Sequence, residues 1–258
     1  MPLAYEQTLE VARRSFLRSL RQPAAVIPSI VFPLFLLAVN AGGLDAATEI
    51  PGFPTDSYLT FILAFPFIQG AIFALLNMGT DVATDIEGGL MNRLALTPIP
   101  GGALLAGMLG GALAVGLLQA VVYLTVGLAA GANFAAGAWG VPVLLLLSLA
   151  ISFSFGCVGT FAALRVGNSE AMQSLFPVFF VFLFFSSASL PRDLLGAGWF
   201  KTLATINPVS YMIEAIRSLF VTGWDGEALA LGFGFATLIA VIFLTAASIT
   251  LRTRLVRG

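Results

Sequence analysis

The chain has 258 residues, of which 59% are hydrophobic and 10% charged, and its formal net charge is −1. Soluble domains carry about a quarter charged residues, so a soluble enzyme or nucleic-acid binder is excluded and lipid is the expected solvent. With no His and one Cys, a metal centre and an internal disulfide are excluded by count.

Residues 1–22 hold no apolar run long enough for the core of a signal peptide. Leu9, Ala12, Phe16 and Leu20 recur at helical spacing, interleaved with Arg13, Arg14 and Arg18. Each arginine placed at the bilayer centre costs about 2.5–3.5 kcal/mol. The expectation is therefore an amphipathic helix lying in the headgroup plane, and the alternative is a solvated linker.

Six stretches free of Asp, Glu, Lys and Arg follow, at 24–43, 58–80, 102–130, 141–164, 171–190 and 228–251. Roughly 20 apolar helical residues cross a 30 Å hydrocarbon core, and each stretch has at least that many. The fold class expected is an all-α membrane protein, one domain over 1–258 with six transmembrane helices. Pro28, Pro33, Pro66 and Pro177 interrupt spans one, two and five. They read either as kinks or as openings of the backbone to a pathway. Gly107 and Gly111 have the spacing of close helix packing, and Cys157 reads as a small buried hydrophobe.

Between spans two and three, residues 81–101 form the longest cytoplasmic loop under the orientation argued below. Asp81 and Asp85 prolong span two, Glu87-Gly88-Gly89 breaks it, and Leu90, Met91, Leu94 and Ala95 form one apolar face with Asn92 and Arg93 opposite. Thr97-Pro98 restarts a helix as cap and first-turn proline. The segment reads as an interfacial loop or as a knob that docks into a partner protein.

Between spans five and six, Asn207-Pro208 opens a helix whose Val209, Met212, Ile213, Ile216, Leu219 and Phe220 share one side before Gly223. At about 15 residues it reaches roughly 22 Å, too short to span, so a re-entrant or outer-surface helix is expected. Glu214 and Arg217, three apart, are positioned to neutralise one another.

With the N-terminus in the cytoplasm, nine arginines fall inside and only Arg192, Lys201 and Arg217 outside. The positive-inside rule thus puts both termini in the cytoplasm, and Trp139, Trp199, Trp224 and Tyr58 fall at the outer interface.

These features in this order resemble the membrane subunit of type 2 ABC exporters, the permease family that includes daunorubicin-resistance and polysaccharide-export proteins. The resemblance rests on the in-plane N-terminal helix, six spans, the run Glu87-Gly88-Gly89-Leu90 through Leu96-Thr97-Pro98, and the Asn207-Pro208 helix. Gly89-Leu90 stands where the family often has a Gly-Thr-Leu-like sequence. The resemblance implies that Arg13, Arg14, Phe16 and Arg18 belong to a connecting helix. It implies that Glu87, Gly88, Gly89, Leu90, Arg93, Leu94, Leu96, Thr97 and Pro98 lie in or beside the coupling helix contacting an ABC ATPase. It also implies a second permease chain, a homodimer in the simplest case, in the plasma membrane.

A P-loop needs Gly-x-x-x-x-Gly-Lys-Ser/Thr. The one lysine, Lys201, is followed by Thr202 but preceded by Phe200. No cofactor is therefore expected on this chain, and ATP and Mg are expected on a separate ATPase. Within the spans, Gln69, Asn77, Gln119, Gln173, Phe176 and Phe180 are candidate pathway residues, with interhelical hydrogen bonding as the alternative for the amides. The function expected is export of a hydrophobic, amphipathic or lipid-like substrate, drug efflux being favoured. A secondary transporter or channel is the alternative, weakened by the lack of ionisable residues within the spans. An intramembrane enzyme lacks a nucleophile–base pair.

Overall fold

The computed structural model describes residues 23–89, 101–196 and 198–257. The connecting-helix residues Arg13, Arg14, Phe16 and Arg18 lie outside the described residues, as do Leu90, Arg93, Leu94, Leu96, Thr97 and Pro98.

All regular structure among the described residues is helical. α1 is Pro23–Gly43, α2 Tyr58–Ile62, α3 Ala64–Glu87, α4 Gly101–Ala129 and α5 Gly140–Val166. They are followed by α6 Ser169–Ser174, α7 Phe176–Phe184, α8 Trp199–Ile206, α9 Pro208–Val221 and α10 Gly226–Arg257. Among the described residues, five helical stretches are long and apolar enough to cross a membrane: α1, the α2–α3 pair, α4, α5 and α10.

The fifth expected span, 171–190, differs. The apolar helix there runs only from Ser169 to Phe184 and is broken at Leu175. Pro177 has no N–H to continue the ladder, so the break falls where the sequence removes a donor.

The core lies between α3 and α5. α3 is buried on nearly all sides, whereas α1 and α10 expose most of their surface. Close approach depends on missing side chains. A Cβ on Gly159 of α5 would collide with the carbonyl oxygen of Leu75 on α3, and one on Gly116 of α4 would collide with Ser152 of α5. This is small-residue packing, the substitute for hydrophobic exclusion inside a membrane. Cys157 on α5 is fully buried, as its composition argues.

α9 was open to two readings, a surface helix or a re-entrant one. Asn207 is its N-cap and accepts from Val209 N–H, with Pro208 in the first turn. Val209, Met212, Ile213, Ile216, Leu219 and Phe220 are all buried. Ser210, Arg217 and Ser218 on the supposed polar side are buried too. The helix packs against α2, α3, α5 and α10, so it is an interior element rather than a surface one.

Candidate functional site

One end of the bundle holds a cavity of about 430 Å³ lined by Phe73, Leu76, Asn77, Thr80, Asp81, Gln173 and Phe176. The first five sit on α3 at spacings of three and four, which places them on one face. Gln173 on α6 and Phe176 on α7 face them from either side of the Leu175 break. Phe73, Phe176 and Phe180 stack onward from the cavity, with centroid distances of 5.6 Å for Phe73–Phe176 and 4.5 Å for Phe176–Phe180. Phe32 of α1 joins them 6.1 Å from Phe73. The arrangement offers amide, hydroxyl and carboxylate groups beside an aromatic wall. That suits an amphiphile.

Of the expected pathway residues, Asn77, Gln173 and Phe176 therefore come together, with Phe180 behind them. Gln69 and Gln119 do not. Gln119 Nε2 donates to Ser29 Oγ at 3.0 Å and to the Ser29 carbonyl at 3.3 Å, and the Tyr123 hydroxyl donates to the same carbonyl at 2.7 Å. The cause lies four residues on: Pro33 has no N–H for the Ser29 oxygen. The proline thus frees an acceptor that α4 captures, bracing α1 against α4. Gln69 is fully buried within α3, with neither amide atom bonded among the described residues.

At the opposite end, the last turn of α7 is closed by side chains from other elements. Asn207 Nδ2 donates to the carbonyls of Phe182 and Phe185. Ser187 N–H donates to Ser210 Oγ at 3.1 Å, and the Tyr58 hydroxyl donates to the Ser189 carbonyl at 3.0 Å. Arg217 supplies three more bonds. Its Nε donates to the Phe61 carbonyl at 3.1 Å, and its Nη2 to those of Ser187 and Ala188 at 2.9 and 2.7 Å. The guanidinium also lies 3.7 Å from the centroid of the Phe61 ring, a cation–π geometry.

The expected pairing of Glu214 with Arg217 is corrected here. Glu214 pairs with Arg192, which also stacks 4.4 Å over the Tyr211 ring. A guanidinium has five N–H donors in a fixed fork, and the three carbonyls of Phe61, Ser187 and Ala188 use more of them than one carboxylate would. An arginine side chain is not deprotonated in proteins, so these carbonyls and the Phe61 ring face a full positive charge. Arg192, Tyr211, Glu214 and Arg217 also line a second cavity of about 510 Å³, together with Asp193, Asp225 and Glu227. The sequence does not announce the bonding roles of Arg192, Ser29, Tyr58 and Tyr123. For Ser29 a signal existed, since a proline four residues later always frees a carbonyl.

Back at the first end, α3 stops at Glu87. Gly88 N–H bonds Thr84 O and Gly89 N–H bonds Ile86 O, with Gly89 at φ +68°, the left-handed conformation that glycine adopts freely. The expected Glu87-Gly88-Gly89 break is thus a helix stop. Glu87 reaches to Ser169, accepting from its N–H and its hydroxyl, both at 2.9 Å.

The ABC-2 type transporter family model matches residues 6–221. The chain is 27% identical over 252 residues to a daunorubicin resistance ABC transporter permease protein of Streptomyces coeruleorubidus, covering 92% of this chain and 84% of that one. It is 28% identical over 238 residues to a putative transport permease of Porphyra purpurea, covering 86% and 78%. It is 26% identical over 221 residues to a probable doxorubicin resistance ABC transporter permease protein of Mycobacterium tuberculosis, covering 84% and 78%.

Proposed function

Because the chain belongs to the ABC-2 type transporter family, we propose that it is the permease subunit of an ATP-driven exporter that moves an amphipathic, drug-like molecule outward. ATP and Mg are bound by a separate ABC ATPase, which docks on the segment 87–98 and on the N-terminal connecting helix. A second permease chain completes the pathway, and the complex sits in the plasma membrane.

The chain crosses the bilayer six times with both termini in the cytoplasm. Support for the sixth crossing comes from two contacts of the 169–189 segment. Its first residue bonds Glu87 and its last bonds Tyr58, and Tyr58 and Glu87 are the two ends of the α2–α3 stretch. A helix of about 24 Å plus an irregular tail thus runs the length of a full span. Irregular backbone at such depth is tolerated where protein groups satisfy it, as Asn207, Ser210, Arg217 and Tyr58 do here. α9 is then a re-entrant helix beneath the outer surface.

The observation that carries the substrate class is the cavity at the Glu87 end, with Asn77, Thr80 and Gln173 beside a ladder of phenylalanines. An amphiphile from the inner leaflet would place its polar group on the amides and its apolar body on the rings. The relatives named for daunorubicin and doxorubicin resistance agree with cargo of that kind.

The test is reconstitution with the co-expressed ATPase into proteoliposomes. Doxorubicin should accumulate only with ATP and only when both subunits are present. Accumulation by the permease alone, or failure of the two subunits to copurify, would overturn this reading.

A further inference from the structure

Both carboxylate oxygens of Glu87 are committed within the chain, to the N–H and the hydroxyl of Ser169 at 2.9 Å each. From this we infer that Glu87 is a positioning strut, which passes movement of the C-terminal end of α3 to the far wall of the cavity. The inference rests on the exporter reading above.

The bond joins the last residue of α3 to the first residue of α6, 82 positions apart in the chain. It is two-pronged and charge-assisted, the geometry that fixes orientation as well as distance. α6 has only six residues and little helical stability of its own. Its position therefore depends on what holds it. Asn168 caps it through Ala171 N–H at 2.9 Å. Met172 is fully buried, with its side chain in the room left by Gly79 on α3. Glu87 supplies a further tie, from the C-terminal end of α3 to the first residue of α6.

Two walls of the cavity meet through this tie. α3 carries Phe73, Asn77, Thr80 and Asp81, while Gln173 and Phe176 flank the break that leads from α6 into α7. A push on the end of α3 reaches the first wall directly. It reaches the second through Glu87 and Ser169 at the helix ends, beside the packing of Met172 on Gly79. The contact is exposed, and exposed polar contacts contribute little to global stability. Its removal should therefore uncouple the two walls without unfolding the protein.

The first test uses the permease alone in lipid nanodiscs. Glu87→Ala removes both bonds and Ser169→Ala the hydroxyl one, and each should raise amide hydrogen exchange across 169–175 several-fold, with thermal melting unchanged. Ser169→Thr, which keeps the hydroxyl, should restore protection. Equal exchange in all four proteins would overturn the strut.

The second test uses the complex with the ATPase and a Gln173→Cys reporter, the native Cys157 being buried. Maleimide labelling of the reporter should differ between the nucleotide-free and vanadate-trapped states. Adding Ser169→Ala should abolish that difference while ATP hydrolysis continues, and a persisting difference would overturn the proposal. A reporter with no nucleotide-linked difference in the parent would sink the exporter reading and the transmission with it, while the exchange measurement separately decides the contact.

Discussion

The Arg217 guanidinium donates to the carbonyl oxygen of Ser187 at 2.9 Å, from a helix that reaches into the bundle to a chain that has just left one. The same nitrogen takes Ala188, and Nε takes Phe61. A helix that ends inside a membrane leaves its last carbonyls without water. Asn207 takes the Phe182 carbonyl in the last turn of α7, and Arg217 ties the irregular chain that follows to α2, so the chain continues with its oxygens satisfied by protein.

Replacing Arg217 with Met should therefore destabilise the protein by about 2–4 kcal/mol, since hydrogen bonds to a charged group contribute roughly 1.5–3 kcal/mol each and the abandoned carbonyls stay buried. Lys should rescue only part of this, because one ammonium does not reproduce the fork. Thermal melting in detergent or nanodiscs reads both. A Met variant as stable as the parent would show that these carbonyls find other donors.

Gly159 gives the sharpest steric prediction. Its missing Cβ is occupied by the Leu75 backbone carbonyl of α3, which has no rotamer to move away. Gly159→Ala should destabilise by about 1–3 kcal/mol, the range for overpacking. Gly42→Ala, where a Cβ meets nothing within 4 Å, is the control and should melt with the parent.

The brace at Pro33 predicts a coupling between mutations. Tyr123→Phe removes a 2.7 Å bond to the Ser29 carbonyl and should destabilise by about 0.6–1.7 kcal/mol, as interhelical bonds in membranes do. Pro33→Ala returns an N–H to that carbonyl. In its presence Tyr123→Phe should have a smaller effect. Additive melting changes would mean that the proline and the tyrosine do not share the acceptor.

Charge spacing in the sequence made the long helices legible, because excluding charge is what lipid demands of a span. The stop at Gly89 and the Asn207-Pro208 start were legible for the same local reason, that caps and left-handed glycines act within a few residues. What could not be read was partnership across distance. Glu214 and Arg217 are neighbours in sequence, yet one pairs with Arg192, twenty-two residues earlier, and the other with three backbone oxygens. Carbonyls carry no sequence signature. The 171–190 stretch looked like one continuous helix because composition counts apolar residues and does not register a ladder broken beside Pro177 and ended at Phe184.

The amides of the cavity and the amide buried within α3 should separate in function. Asn77 and Gln173 line the cavity, so Asn77→Ala and Gln173→Ala should weaken doxorubicin transport by raising its KM several-fold, with melting unchanged, since each loses a contact to cargo rather than to the fold. Gln69 is buried with neither amide atom bonded among the described residues. A buried polar group without a partner is destabilising by about 1–3 kcal/mol, so Gln69→Met should leave stability equal or raised and leave KM alone. If Gln69→Met instead abolished transport while the cavity amides tolerated alanine, the pathway would run through the core of α3. The cavity between α3 and α6 would then be a packing defect rather than a place for cargo.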